Sequence, residues 1–305
     1  MRISSIDIGT NTILLLVAEI DSNGIVKVIR DEQVIARLGM GVDEHRIINR
    51  ETFHRVADYL QSYHNISRKL QSEKIIAVGT SALRDAANKK EFCEFILQNV
   101  GINIEILSGD DEAEWTCRGA VAGIDTTPQG FTVLDIGGGS TEIISCIGSQ
   151  ILHKVSLDIG SVRVTERLLR TSPPTFPEIT ETRKLIHRYF EPIDFLRNGL
   201  SQAIGVAGTV TTLAAMQLQL PQYDPQKIHG YELRFNDVLQ SFDLLRGKTI
   251  AEIKSIPQIS AGRADIILAG VIILQEFMDA AHLEKITVSD RGLRYGIVLR
   301  EIERR

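Results

Sequence analysis

The chain reads as an α/β protein of two domains, each a βββαβαβα unit, the second duplicating the first with insertions. Three observations predict this. Strand-length runs of Ile, Val and Leu alternate with segments whose apolar residues recur at helical spacing. The triplet Asp-Ile-Gly stands at 7–9 and again at 135–137, each time after a strand-like run and before a tight turn. The length, 305 residues, accommodates two domains at roughly 100–200 residues each.

In the first half, Ile3, Ile6 and Ile8 mark a strand that leads into the turn Gly9-Thr10-Asn11, and the apolar run 13–17 follows. Asp21-Ser22-Asn23-Gly24 predicts a hairpin turn, because Asn-Gly accepts the positive φ angles of a type I′ connection. Val26, Val28 and Ile29 continue as a third strand. Phe53, Val56, Ala57 and Leu60 lie on one face of a helix expected over 50–70. A buried strand is expected over 74–79, a helix over 81–99 and a strand over 103–107. Ser108 with Asp111 is an N-cap signal for the next helix.

The order restarts at Phe131, with a strand over 131–136, the turn Gly137-Gly138-Gly139-Ser140-Thr141, and strands over 142–147 and 151–157. Helices are expected to about 196, and 203–206 and 285–288 are the later strands, each followed by a helix. Three of the eight prolines fall within 171–177, which predicts a loop. The domains are expected at 1–122, rejoined by a C-terminal helix from about 293 to 305, and at 123–292.

Composition excludes several classes. Hydrophobic residues make up 43% and charged residues 24%, as in ordinary globular domains. No run approaches the ~18 apolar residues of a membrane span; the longest, 13–17 and 266–274, read as a buried strand and a buried helix. Asp7 falls where a signal peptide needs its apolar region, so a cytoplasmic protein is expected. Cys93, Cys117 and Cys146 are too scattered for disulfides or zinc and are expected as reduced, buried thiols. The seven histidines show no metal spacing. A net charge of −5 argues against a nucleic-acid binder, yet leaves room for a small anionic substrate in a local pocket of donors.

Asp135-Ile136-Gly137-Gly138-Gly139-Ser140-Thr141-Glu142 is the most informative stretch. Glycines let a backbone approach a phosphate and direct N–H groups at it. Ser140 and Thr141 add hydroxyls, and Asp135 and Glu142 supply hard oxygens for Mg²⁺ or its water shell. No Gly-Lys-Ser/Thr follows, so this is not a Walker loop. Asp7-Ile8-Gly9-Thr10-Asn11-Thr12 offers the same chemistry in shorter form: Thr10 and Asn11 can donate to phosphate while Asp7 faces the metal side. A third glycine turn, Gly205-Val206-Ala207-Gly208-Thr209, joins a strand to a helix whose N-terminus can bind an anion through Gly208 and Thr209. Arg163, Arg167 and Arg170, at i, i+4 and i+7, would share a helix face.

These turns, in this order, resemble the phosphate and nucleoside loops of the actin, sugar-kinase and heat-shock-chaperone superfamily. Within it, Gly79-Thr80-Ser81-Ala82-Leu83-Arg84-Asp85-Ala86, Ser108-Gly109-Asp110-Asp111-Glu112-Ala113-Glu114 and Ser289-Asp290-Arg291-Gly292-Leu293-Arg294-Tyr295-Gly296 are similar to motifs of the exopolyphosphatase and guanosine pentaphosphate phosphatase family. The resemblance spans essentially the whole chain. It implies two ribonuclease H-like (actin-like) domains facing across a cleft. The implied activity is removal of a terminal phosphate from inorganic polyphosphate or a pentaphosphorylated guanosine. Glu112 is implied as general base, with Asp111 its nearest rival, and Arg84 as holder of the phosphate tail. One Mg²⁺ near Asp135 and Glu142, shared with Asp7 through water, and a homodimer are also implied. Longer members carry a further C-terminal helical domain, which these 305 residues do not reach. The family's Glu-Ala-Arg is here Glu112-Ala113-Glu114. Rival readings are a sugar or acid kinase of the same superfamily, and a binding protein that senses polyphosphate or guanosine alarmones without turnover.

Overall fold

A strand buried along nearly its whole length needs cover on both faces, and the strands that open the two halves of this chain have that pattern. They are β1 (Arg2–Ile8) and β6 (Phe131–Ile136), and each lies inside its own mixed sheet. The computed structural model describes residues 1–21, 26–148, 150–197 and 202–304. The expected Ser22-Asn23-Gly24 turn lies outside them. Within the chain there are two compact units, Met1–Gly119 with Leu293–Arg305, and Ala120–Gly292.

In unit 1, β1 is followed by β2 (Thr12–Ile20), β3 (Val26–Ile35), α1 (Val42–His45), α2 (Arg50–Lys69) and β4 (Lys74–Gly79). Then come α3 (Ser81–Asp85), α4 (Lys89–Val100), β5 (Ile104–Ile106) and α5 (Gly109–Ala120). The sheet order is β3-β2-β1-β4-β5, with β1 antiparallel to β2 and parallel to β4. Asn49 caps α2 by accepting from the Thr52 N–H at 2.8 Å, and Phe53, Val56, Ala57 and Leu60 enter the core as their spacing predicts. The single helix expected over 81–99 is two helices. Ala86 is extended (ψ 129°), and the break is tied elsewhere: Ala87 N–H donates to Arg46 O at 2.7 Å, while the Asn88 amide bonds both Ile48 N–H and Ile48 O. Tertiary hydrogen bonds here override helical propensity.

Unit 2 runs β6, β7 (Thr141–Ile147), β8 (Gln150–Leu157), α6 (Ser161–Leu168), α7 (Phe176–Phe190), α8 (Asp194–Arg197), β9 (Ala203–Val206) and α9 (Ala207–Gln217). It continues with α10 (Pro225–Ile228), β10 (Glu232–Arg234), α11 (Phe235–Arg246), α12 (Ile250–Lys254), α13 (Ile267–Ala280) and β11 (Lys285–Val288). The sheet order, β10-β11-β9-β6-β7-β8, repeats that of unit 1 and adds β10 as an antiparallel edge. Three residues carry too little periodicity to announce β10 in the sequence. Helix α13 is buried on all sides through Leu274, as a run without a polar face requires. The expected loop over 171–177 ends early, because Thr175 and Glu178 form a capping box that starts α7 at Phe176.

The last helix, α14 (Leu293–Glu303), belongs to unit 1. Leu293, Tyr295, Ile297 and Val298 pack on Ile3, Leu16, Ile76 and Val78, covering the sheet face opposite the α2 and α4 core. Arg300 holds Glu105 with two hydrogen bonds of 2.7 and 3.0 Å, and Arg294 grips Asp31 in the same forked way. Gly296 lies against the Trp115 carbonyl, where a β-carbon would overlap backbone. Among the described residues no helix is long and apolar enough to cross a membrane; none of the three cysteines is in a disulfide, and Cys117 and Cys146 are buried as expected while Cys93 is half-buried.

Gly296→Ala therefore forces α14 off α5. Overpacking of this kind costs about 1–3 kcal/mol, and Trp115, the single tryptophan, reports on the contact directly. Denaturant unfolding followed by Trp115 fluorescence should show a lower midpoint for Gly296→Ala. An unchanged midpoint would mean the helices are not packed as described.

Candidate functional site

The two Asp-Ile-Gly turns occupy the same place in their sheets. Asp7 on β1 sits between Leu14 of β2 and Val78 of β4, and Asp135 on β6 sits between Glu142 of β7 and Val206 of β9. Both turns close alike, with Gly9 N–H donating to Thr12 O and Gly137 N–H to Ser140 O, each at 3.0 Å. A β-carbon on Gly9 or Gly137 would press on that same acceptor oxygen, at 2.9 and 3.0 Å, so glycine is what lets the turn close.

In unit 2, the carbonyls of the glycine triplet all point at α6. Gly137 O accepts from Ser161 N–H (2.9 Å), and Gly138 O from Val162 N–H (2.8 Å) and Arg163 N–H (3.1 Å). Gly139 O accepts from the Arg163 side-chain Nε at 2.7 Å. Because a planar trans peptide sends its C=O and the next N–H in opposite directions, the N–H groups of Gly138, Gly139 and Ser140 face away from α6. Among the described residues none of the three has a hydrogen-bond partner. Successive outward N–H groups form a concave anion site. Thr141 differs from its neighbours: its hydroxyl donates to Ile159 O at 2.6 Å. Glu142 is buried and accepts from Ser156 Oγ at 2.7 Å.

The first turn of unit 1 is anchored in the same manner. Thr10 O accepts from Gly39 N–H and Asn11 O from Arg37 N–H, at 2.8 and 2.9 Å. The third turn is built differently. Ala207 begins α9 with φ +68°, a conformation costly for a residue with a side chain and frequent at functional sites. Arg263 lies directly on the Gly208 α-carbon, which has room for no side chain, and donates to Thr212 Oγ1 at 3.2 Å and Gly208 O at 3.4 Å. Burial pulls the Arg263 pKa down. Thr209 packs its side chain against Gly270 of α13, while Tyr223 donates to Asp290.

Arg163, Arg167 and Arg170 do not share a helix face, because α6 ends at Leu168. Arg163 is buried on the glycine triplet, Arg167 is half-buried and Arg170 is exposed beyond the helix.

The motif at 108–114 separates its acids by environment. Ser108 caps α5, accepting from Asp111 N–H at 3.1 Å and donating to the exposed Asp111 carboxylate at 2.7 Å. Glu114 pairs with Arg118 one turn on, at 3.1 Å. Glu112 alone of these turns inward, 8% exposed, and Arg84 Nη1 holds it at 2.7 Å while also donating to Leu107 O at 3.2 Å. Burial pushes the Glu112 pKa up, and the Arg84 charge and hydrogen bond pull it back. Asp7 is pushed up to about 7, first by burial and then by the Glu112 charge, with Arg294 acting the other way. Its Oδ1 is a buried oxygen without a hydrogen-bond partner among the described residues. Such a buried carboxylate wants a cation.

Donor chemistry bears on a divalent ion in the same way. Asp135 and Glu142 are cross-strand neighbours offering hard oxygens, and no cluster of three or more His, Cys, Asp or Glu poised for a metal occurs among the described residues. Two carboxylates without an all-protein cage suit Mg²⁺, which keeps waters and binds through substrate phosphates. Sequence reasoning missed Arg263 and Asp31, and it quoted Arg294 only within a motif. Arg263 had one available signal, an arginine in a short polar loop before a helix that is apolar through Leu274.

The chain is similar to known proteins along nearly its whole length. The chain is 33% identical over 317 positions to "Exopolyphosphatase 2" of Mycobacterium tuberculosis, covering 98% of both proteins. It is 31% identical to a "Bifunctional 3-dehydroquinate synthase/phosphatase" of Fusobacterium nucleatum, covering 98% of this chain and 46% of that protein. Among solved structures, the Aquifex aeolicus member of the Ppx/GppA family superposes with a TM-score of 0.84 at 30% identity, covering 100% of this chain and 98% of that one. An exopolyphosphatase from Cytophaga hutchinsonii gives 0.91 at 29% identity, covering 99% and 98%. The profile of the Ppx/GppA phosphatase family matches residues 16–305, and the chain belongs to that family.

Proposed function

We propose that this protein hydrolyses the terminal phosphoanhydride bond of inorganic polyphosphate, releasing phosphate and a chain one unit shorter. The observation that carries the proposal is Glu112, a buried carboxylate at the start of α5, steered by Arg84 and distinct from the exposed acids beside it. Membership of a phosphatase family supports it, as do relatives named exopolyphosphatase. The pentaphosphate end of a guanosine nucleotide presents the same bond and is the second substrate to try.

Phosphoryl transfer asks a protein mainly for positioning and charge neutralisation, plus a group that orients the attacking water. The N–H groups of Gly138, Gly139 and Ser140, with the Ser140 hydroxyl, bind non-bridging phosphate oxygens in unit 2. Thr10 and Asn11 do so in unit 1, and Arg263 contributes a cation beside the Gly208 turn. Glu112 accepts a proton from water as the water oxygen bonds to the terminal phosphorus and the bridging oxygen leaves with the shortened chain. Arg84 opposes the effect of burial on Glu112, since an adjacent guanidinium favours the charged carboxylate. Asp135 and Glu142 would hold Mg²⁺, with Asp7 the corresponding carboxylate of unit 1. When bound, the ion supplies neutralisation of phosphate charge.

Glu112→Gln keeps size but cannot take up a proton, so turnover should fall by about 10²–10⁴-fold with polyphosphate binding nearly unchanged. Glu114→Gln, which loses only a surface pair with Arg118, should stay near the parent rate. A dead Asp111→Asn beside an active Glu112→Gln would move the base one residue back. Phosphate release from polyphosphate, guanosine pentaphosphate and ATP, run side by side with Mg²⁺, ranks the substrates. Polyphosphate binding without phosphate release would favour the sensor reading, and phosphate transfer from ATP to an acceptor would favour the kinase.

Asp135→Ala should abolish phosphate release while leaving the unfolding transition in place, and excess chelator should do the same to the parent. Full activity in either case would remove Mg²⁺ from the proposal.

A further inference from the structure

We infer that Arg163 is a positioning residue for substrate, setting the peptide plane whose N–H at Ser140 binds phosphate; this rests on the hydrolase reading above. Arg163 is only 6% exposed, and an arginine is rarely buried unless its donors are satisfied. Its acidic neighbour Asp158 is 4.0 Å away and largely in solvent, a weak tether. One short contact is to backbone, 2.7 Å from Nε to Gly139 O.

That contact has a specific consequence. The peptide planes after Gly137 and Gly138 are oriented by backbone N–H groups of α6, which persist whatever side chain stands at 163. The plane after Gly139 is oriented by the Arg163 side chain. Glycine flanks this plane and leaves its torsions soft, so without the guanidinium the peptide is free to rotate and carry the Ser140 N–H out of the cradle. Gly160 brings the α6 start close enough for this reach: its α-carbon sits against the Gly138 backbone, where a β-carbon would meet Gly138 at 2.5 Å.

The prediction concerns affinity rather than chemistry. A charge-assisted hydrogen bond contributes enough that Arg163→Met should raise KM for polyphosphate about 10- to 100-fold, while kcat changes far less. Methylguanidinium added to Arg163→Met should recover part of the affinity and leave the parent unaffected. In amide spectra of the protein, the Ser140 ¹⁵N resonance should shift on substitution, because its preceding carbonyl has lost a donor.

A role confined to stability would lower the unfolding midpoint without moving KM, rescue or the Ser140 resonance, and that outcome overturns the inference. Should Arg163→Met fail to fold, Arg163→Lys keeps the stem and charge. A shifted Ser140 resonance with weaker tripolyphosphate binding, by calorimetry, then supports the role, and parent-like values for both overturn it. Failure of the two readings looks different. A parent that binds tripolyphosphate but releases no phosphate removes the hydrolase, whereas active Arg163→Met with parent KM removes only Arg163.

Discussion

A peptide plane cannot offer its carbonyl and the following N–H to the same side, and the glycine triplet of unit 2 is organised by that constraint. The start of α6 takes the carbonyls of Gly137, Gly138 and Gly139, so the N–H groups beyond them face away from α6. A helix N-terminus commonly binds an anion directly. Here the helix's own N–H groups are consumed in aiming a second set of donors. The turn of unit 1 is anchored with Arg37 and Gly39 in the role of α6, which extends the internal duplication from strand order to hydrogen-bond logic.

Charge at the candidate site is arranged by burial. Four acids stand within five residues at 110–114, and helix-dipole stabilisation alone would suit any of them. The structure gives Asp111 to the cap, Glu114 to Arg118, and Glu112 to Arg84 in the interior. Burial disfavours the charged form of Glu112, and the Arg84 guanidinium opposes that effect. Burial and the Glu112 charge raise the Asp7 pKa to about 7, and a cation beside it would favour the charged form.

Much of the architecture was readable in advance. Strands β6, β9 and β11 fall on the residues their apolar runs indicated, and Phe53 to Leu60 marked the buried face of α2. The failures share one cause. The break at 86–88, the edge strand β10 and the dispersal of Arg163, Arg167 and Arg170 all depend on contacts with distant residues, or on elements too short to show a period. Arg163 was visible only as one of three arginines at helical spacing, since nothing local says that it folds onto a glycine turn 24 residues earlier.

Local chemistry by itself determined the turns: Asp-Ile-Gly before a hairpin, a Gly triplet flanked by carboxylates, Ser108 with Asp111 at a helix start. Each is decided by the steric freedom of glycine or by a side chain reaching its own backbone, which needs no partner from elsewhere. The tertiary structure decided direction and environment. Which acid is buried, which face of a peptide meets α6, and that Arg263 lies over Gly208 follow from side chains far apart in sequence being desolvated together. Desolvation is a property of the packed fold, so no window of sequence contains it.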